Sequence, residues 1–196
     1  MTGGASEDPR TCEVSPSEPA PVPDLNELPG FPYHQLDVGR YARPTFLGKR
    51  TLSHHSSYGC PFACTFCAVQ SMAGGCWRAE SPDRTAAAVR RLVTGWGADA
   101  IEFFDNNFFV HEARTAAFAE QITDLNVAWW GESRIDTLLG YSERTWRLLR
   151  DSGLRMVFMG AESGSDETLQ RMNKGGGAST AKTLTLAEKM KAYGIV

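Results

Sequence analysis

At 196 residues the chain is long enough for one domain with a substantial core, since a domain of about 150 residues buries roughly 70% of its unfolded surface. Its 42% hydrophobic content and net charge of -3 suit an ordinary soluble protein, and it lacks the basic excess that tracks nucleic-acid phosphate. No run approaches the roughly 18 apolar residues of a membrane helix, and Met1 to Asp24 has neither the basic start nor the apolar centre of a signal peptide, so a cytoplasmic protein without a membrane partner is expected.

Residues 1–29 are rich in Pro, Ser, Glu and Asp and read as a disordered tail or linker. Residues 30–49 carry Phe31, Tyr33, Leu36, Tyr41, Phe46 and Leu47 without clear periodicity, which predicts an extended lead-in laid against the domain. From residue 50 onward the pattern is strand, loop, helix, repeated. Thr51 to His55 is the first strand candidate. Ser81 supplies an N-cap and Pro82 the first helical position, with Val89, Leu92, Val93 and Trp96 at helical spacing until Gly97. Ala100 to Phe104 is a second strand, followed by a helix over Glu112 to Asp124. Val127 to Trp130 is a third strand, followed by a helix over Ser142 to Ser152 that stops at Gly153. Met156 to Met159 is a fourth. Helices follow over Ser165 to Met172 and Ala181 to Tyr193, and Gly194-Ile195-Val196 begins what reads as a fifth strand. Alternating strands and helices imply parallel pairing through crossover connections, hence an α/β fold: a (βα) barrel core over 50–196 with four to five parallel strands, expected to be C-terminally incomplete.

Five cysteines are present, and three fall on one loop as Cys60-Pro61-Phe62-Ala63-Cys64-Thr65-Phe66-Cys67, a C-x3-C-x2-C spacing. That grouping suits a metal site in a reducing compartment better than a disulfide framework, with Cys12 and Cys76 left over. Three thiolates can occupy three corners of a cubane iron-sulfur cluster and leave the fourth iron open for chemistry. A structural zinc site would need a fourth ligand, for which His54, His55 or Cys76 are candidates. Both histidines otherwise read as strand residues, and Trp129 and Trp130 as core or pocket wall.

The cysteine spacing, with aromatic Phe66 before the last thiol, resembles the cluster motif of the radical S-adenosylmethionine (SAM) superfamily, and the resemblance runs from about Leu28 to the end of the chain. It implies a partial barrel of that type, a [4Fe-4S] cluster on Cys60, Cys64 and Cys67, SAM chelated at the open iron, and Phe66 beside the adenine. It further implies a reductant such as flavodoxin or ferredoxin, reductive cleavage of SAM to a 5'-deoxyadenosyl radical, and an unknown substrate. His55 to Phe62 and Gly131-Glu132-Ser133-Arg134-Ile135-Asp136 are similar to the cobalamin-associated branch, which includes methyltransferases and a cyclase of chlorophyll synthesis; no Asp-x-His-x-x-Gly cobalamin motif occurs in this chain.

Barrel enzymes place their sites at the C-terminal ends of the strands, and the remaining polar residues sit there. Asp105 or Asn106 could accept from the SAM ammonium, Arg134 could grip its carboxylate as a fork, and Glu132 or Glu162, with Ser163, could bind ribose hydroxyls. The Asp105 segment takes the place of the family's glycine-rich second-strand motif but has no glycine. The bland alternatives are turn or cap roles for Asn106, Asn107 and Ser163, and an Arg134–Asp136 ion pair. Lys174-Gly175-Gly176-Gly177 reads as a turn between helices, because it follows a helix and lacks the rest of a phosphate-loop motif. A reading from another class is a non-catalytic iron-sulfur or zinc binding module, an electron carrier or assembly partner.

Overall fold

The computed structural model describes residues 23–174 and 177–196; Cys12, most of the expected tail, Gly175 and Gly176 lie outside them. Four parallel strands form one sheet in the order β1 (Thr51–His54), β4 (Ala100–Phe103), β5 (Ala128–Ser133), β6 (Leu154–Met159). They are the sheet of a partial (βα) barrel. The register pairs Thr51 with Ala100, Glu102 with Trp130, and Glu132 with Phe158. Beyond β6, Val196 donates to Arg155 O and accepts from Val157 N, both at 2.8 Å, the bonding of a parallel neighbour flanking Met156.

Two further strands, β2 (Ser57–Gly59) and β3 (Trp77–Ala79), make a separate antiparallel ladder. The lead-in, expected to be extended, contains 3-10 turns over Tyr33–Gln35 and Val38–Arg40, and Arg43 then bridges Thr51 in antiparallel fashion at the edge of β1.

The helices form where their caps dictate. In α2 (Pro82–Trp96) the Ser81 side chain accepts from Arg84 N, Pro82 opens the first turn, and the helix ends at Gly97. Helix α3 (Glu112–Ile122) stops short of Asp124 because Thr123–Leu125 tightens into a 3-10 turn. Ser142 and Ser179 cap α5 (Glu143–Asp151) and α7 (Thr180–Ala192) in the same way as Ser81 caps α2. Short helices α1 (Ala68–Ala73), α4 (Ile135–Leu139) and α6 (Asp166–Arg171) complete the set.

Strand alternation divides the sheet into two faces. Ile101, Phe103 and Trp129 point into the core, where Phe103 meets Trp129 at 5.9 Å and Phe118 of α3 at 5.4 Å, both edge to face. The Trp129 indole N–H donates to Ser152, so even this polar atom is satisfied. The other face carries Glu102, Trp130, Glu132 and Phe158, of which Phe158 is exposed. The sheet therefore keeps one polar and aromatic face apart from its packed one.

Gly153 holds the turn from α5 into β6 at a φ of +97°, where an added Cβ would sit 2.0 Å from the Val127 carbonyl oxygen. Gly153→Ala combines a left-handed penalty with a backbone clash and is expected to cost more than about 2 kcal/mol, read as a lowered urea midpoint with unchanged slope.

Candidate functional site

Cys60 does not follow β1 directly as its sequence neighbours suggest. Strand β2 intervenes, pairs Gly59 with Trp77 of β3, and makes the cysteine loop spring from a two-stranded base. Gly59 has φ +80°, and a Cβ there would meet the Cys76 carbonyl oxygen at 2.1 Å, so the chain leaves the ladder through a position only glycine fits. Helix α1 begins right after Cys67, and Cys67 N donates to Cys64 O, which turns the last two thiols onto one bend.

This base is fastened to the sheet by Asp105. Its carboxylate is fully buried and accepts from Ser56 N at 2.8 Å, Ser56 Oγ at 2.7 Å and Ser57 Oγ at 2.6 Å. Where a contact to a SAM ammonium was expected, the Asp105 side chain faces inward and its oxygens accept from Ser56 and Ser57. Arg114 of α3, also buried, donates to Ser56 Oγ at 2.8 Å and to the Glu80 carbonyl, with its guanidinium 5.6 Å from the Trp77 ring and 5.2 Å from that of Phe108. Burial pulls its pKa below the usual arginine value, opposed by the charges of Asp105 and Glu80.

The three loop thiols are partly buried and free of disulfides. Loops from neighbouring strands reach two of them. After β4, Asn106 accepts from Gly59 N at 3.2 Å, and the Nδ2 of buried Asn107 lies 4.0 Å from Cys60 Sγ. After β5, Arg134 Nη1 lies 3.1 Å from Cys64 Sγ. The same guanidinium sits 4.1 Å from the centre of the Phe62 ring and is gripped by Asp136 through Nε at 3.0 Å and Nη2 at 2.7 Å. The fork assigned to a SAM carboxylate is thus occupied by Asp136, and the free edge of Arg134 faces a thiol. Burial opposes its charge, yet Asp136 and Cys64 raise its pKa above the usual value.

Glu132 on β5 stays a candidate carboxylate. Burial and the Asp105 charge hold its pKa above the usual carboxylate value. Glu162 adopts a left-handed φ of +59° and accepts from Lys174 Nζ at 2.7 Å. Lys174 is itself buried, also donates to the Gly160 carbonyl, and offers its own carbonyl to Arg134. Ser163 accepts from Ser165 N, the local turn role weighed against ribose binding. Phe66 is half exposed on the loop, and Thr65 ties that loop to the Met172 carbonyl after α6. The structure therefore sets Arg134 against Cys64, Asn107 beside Cys60 and Asn106 on the Gly59 amide, links Glu162 to Arg134 through Lys174, and places Asp105 behind them. Lys174 and Arg114 escaped sequence reasoning; the Lys next to three glycines was the one signal for the first.

The donor set fits a [4Fe-4S] cluster. Three thiols on one loop can each take a different iron, and a guanidinium lies 3.1 Å from Cys64 Sγ. A closed zinc site would need a fourth ligand, and His54 is held by Tyr33 at 3.2 Å and Glu80 at 2.9 Å.

A half-barrel whose strand ends converge on a three-thiol loop defines a class of cofactor-binding domain. The sequence pattern of the radical SAM superfamily matches residues 55–196, and the chain belongs to that family. It is 28% identical over 176 residues to an uncharacterized methyltransferase of Pyrococcus horikoshii, covering 89% of this chain and 37% of that protein. It is 25% identical over 167 residues to the anaerobic magnesium-protoporphyrin IX monomethyl ester cyclase of Synechocystis, covering 83% and 33%. The radical SAM methyltransferase TsrM of Kitasatospora setae, solved with cobalamin and a [4Fe-4S] cluster, superposes with a TM-score of 0.64 at 17% identity over 83% of this chain and 35% of that one. The chain spans about a third of the length of the curated relatives it matches. Among the described residues, no helix is long and apolar enough to cross a membrane.

Two stability measurements check this arrangement. Asp105→Ala strands buried Arg114 and frees Ser56 and Ser57, and is expected to cost about 3–5 kcal/mol in urea unfolding under oxygen-free, reducing conditions. Glu132 has a raised folded-state pKa, so the folded chain holds this proton to higher pH than the unfolded one; its contribution is full below the ordinary carboxylate value of 4.5 and is lost as pH rises through the folded pKa. Glu132→Gln should therefore raise the thermal midpoint at neutral pH and flatten its decline between pH 4.5 and the folded-state pKa.

Proposed function

We propose that the chain is the SAM-binding core of a radical SAM enzyme, with Cys60, Cys64 and Cys67 holding a [4Fe-4S] cluster whose remaining iron takes SAM. The observation that carries this reading is the three-thiol loop set against the C-terminal ends of β4 and β5, with Arg134 on Cys64. When bound, the cluster supplies the electron that cleaves SAM to methionine and a 5'-deoxyadenosyl radical.

The chain's own residues position and shield. Arg134, locked by Asp136, orients Cys64; it is a positioning residue in this reading. Asn106 is exposed beside the loop and Glu162 stands on the other side, both open to a zwitterionic nucleoside. Glu132, with its affinity for a proton raised, accepts a ribose hydroxyl or the ammonium, Ser163 supplies a hydroxyl at the rim, and Phe66 covers the adenine. A small one-electron carrier such as flavodoxin or ferredoxin is the fitting reductant, and the cytoplasm the fitting compartment. The named relatives point to methyl transfer or cyclisation as the overall reaction, with cobalamin as an added cofactor in the methyl-transfer case.

Anaerobically reconstituted chain should bind close to four irons and form 5'-deoxyadenosine from SAM and dithionite. Cys64→Ala should lose the thiolate-to-iron absorbance near roughly 400 nm and more than about 90% of both iron and product. Full iron without any 5'-deoxyadenosine would leave the non-catalytic module as the better reading.

A further inference from the structure

A cavity of about 910 Å³ opens on the β1 side of the cysteine loop, between the lead-in, the end of β1 and α2. That volume lies at the upper end of the roughly 300–1,000 Å³ typical of small-molecule sites. We infer that this cavity binds the substrate, and that the substrate is a flat, rigid, largely apolar ring system with a polar group on its edge. The inference rests on the proposed function for the word substrate, but its binding claim stands apart from SAM turnover.

Position is the first ground. His55 directly follows β1, Phe104 directly follows β4, and Tyr58 lies two residues before Cys60; all three line the cavity. A ligand seated there lies at the same end of the sheet as the thiols. The second ground is the wall chemistry. The lead-in contributes Leu28, Pro29 and Leu36, while Tyr58 and Phe104 leave 51% and 44% of their surfaces exposed into or beside the space. The His55 and Tyr58 rings stack at 4.3 Å and 13°, presenting a flat face, and aromatic faces pack best against other flat rings. A rigid ligand also loses less conformational freedom on entering so large a space than a flexible chain would.

The third ground is an unmatched polar atom. Nε2 of His55 is shielded from solvent and has no hydrogen-bond partner among the described residues. Several other polar groups of the lining are engaged: His54 bonds Tyr33 and Glu80, Arg43 bonds Glu102, and Arg84 bonds Glu80 and the Leu28 and Pro29 carbonyls. A shielded imidazole nitrogen without a partner is costly, and a carboxylate, carbonyl or hydroxyl on the ligand's edge would satisfy it. One polar contact at the end of an apolar slot fixes orientation, as small-molecule sites commonly do.

The test is an equilibrium titration of oxygen-free, cluster-loaded chain with protoporphyrin IX, a flat apolar ring with edge carboxylates, followed by tryptophan quenching. Saturable binding is expected. His55→Phe keeps the stack on Tyr58 but removes the nitrogen, and Phe104→Ala removes the wall; each should weaken binding about tenfold while iron per chain is unchanged. Unaltered affinity in both variants, absence of saturable binding, displacement by excess SAM, or tighter binding of the flexible cis-parinaric acid would each overturn the inference. Porphyrin binding with no 5'-deoxyadenosine formed would instead uphold the cavity and sink the catalytic reading.

Discussion

A carboxylate with no exposed surface, three hydrogen bonds and a buried guanidinium behind it joins two parts of the chain that neither pattern nor proximity in sequence would join. Asp105 belongs to the sheet through β4, and Ser56 and Ser57 belong to the base of the cysteine loop. Desolvating such a charge costs several kcal/mol, and only complete hydrogen bonding with a nearby cation offsets it. The Ser56 hydroxyl has a single proton, which goes to Asp105, so its lone pairs are what Arg114 can address. The chain of bonds therefore runs in one sense, from guanidinium to hydroxyl to carboxylate. This fastening seats the base of the cysteine loop on the sheet, and the Trp77 indole N–H adds a second tie by donating to the Asn107 carbonyl.

The loop is held on its other sides by weaker and more exposed contacts. Asn106 and Asn107 meet it from β4, Arg134 from β5, and Met172 from the end of α6. Strands β4 and β5 thus contribute contacts from their C-terminal ends and α6 adds one from its own, which is how a barrel assembles a site from distant segments. Lys174 extends the network by binding Glu162 and Gly160 with its ammonium and Arg134 with its carbonyl. Cys64, Arg134 and Glu162 are in this way mechanically connected.

Much of this was legible in the sequence, and for identifiable reasons. Ser81, Pro82 and Gly97 bracket α2 because caps act through neighbouring backbone, and Ala100 to Phe103 reads as a buried strand because both its faces are covered. The thiol spacing is local as well. What was hidden depends on partners far away in the chain. Strands β2 and β3 are three residues each, too short to show alternation. Asp105 looks like a strand-end ligand until its partners 48 and 49 residues earlier are seen. The ion pair of Arg134 with Asp136 was visible as an alternative, being two residues apart, but its contact with Cys64 spans 70. Arg114 gave no pattern at all and Lys174 only the glycines beside it, since a buried cation looks like any surface one until its burial is known.

Glu162 brings backbone and side-chain demands into conflict at one position. Its left-handed conformation suits glycine or asparagine, and for a glutamate it carries a penalty on the order of 1–2 kcal/mol. A glycine would relax the main chain and abolish the anion that Lys174 holds, whereas a shorter asparagine would keep the bend and withdraw the charge. The main chain alone would favour either of them, although both would leave buried Lys174 without its carboxylate. The acidic residue is therefore one that the polypeptide tolerates rather than prefers, and the lysine that clamps it keeps the unfavourable torsion in place.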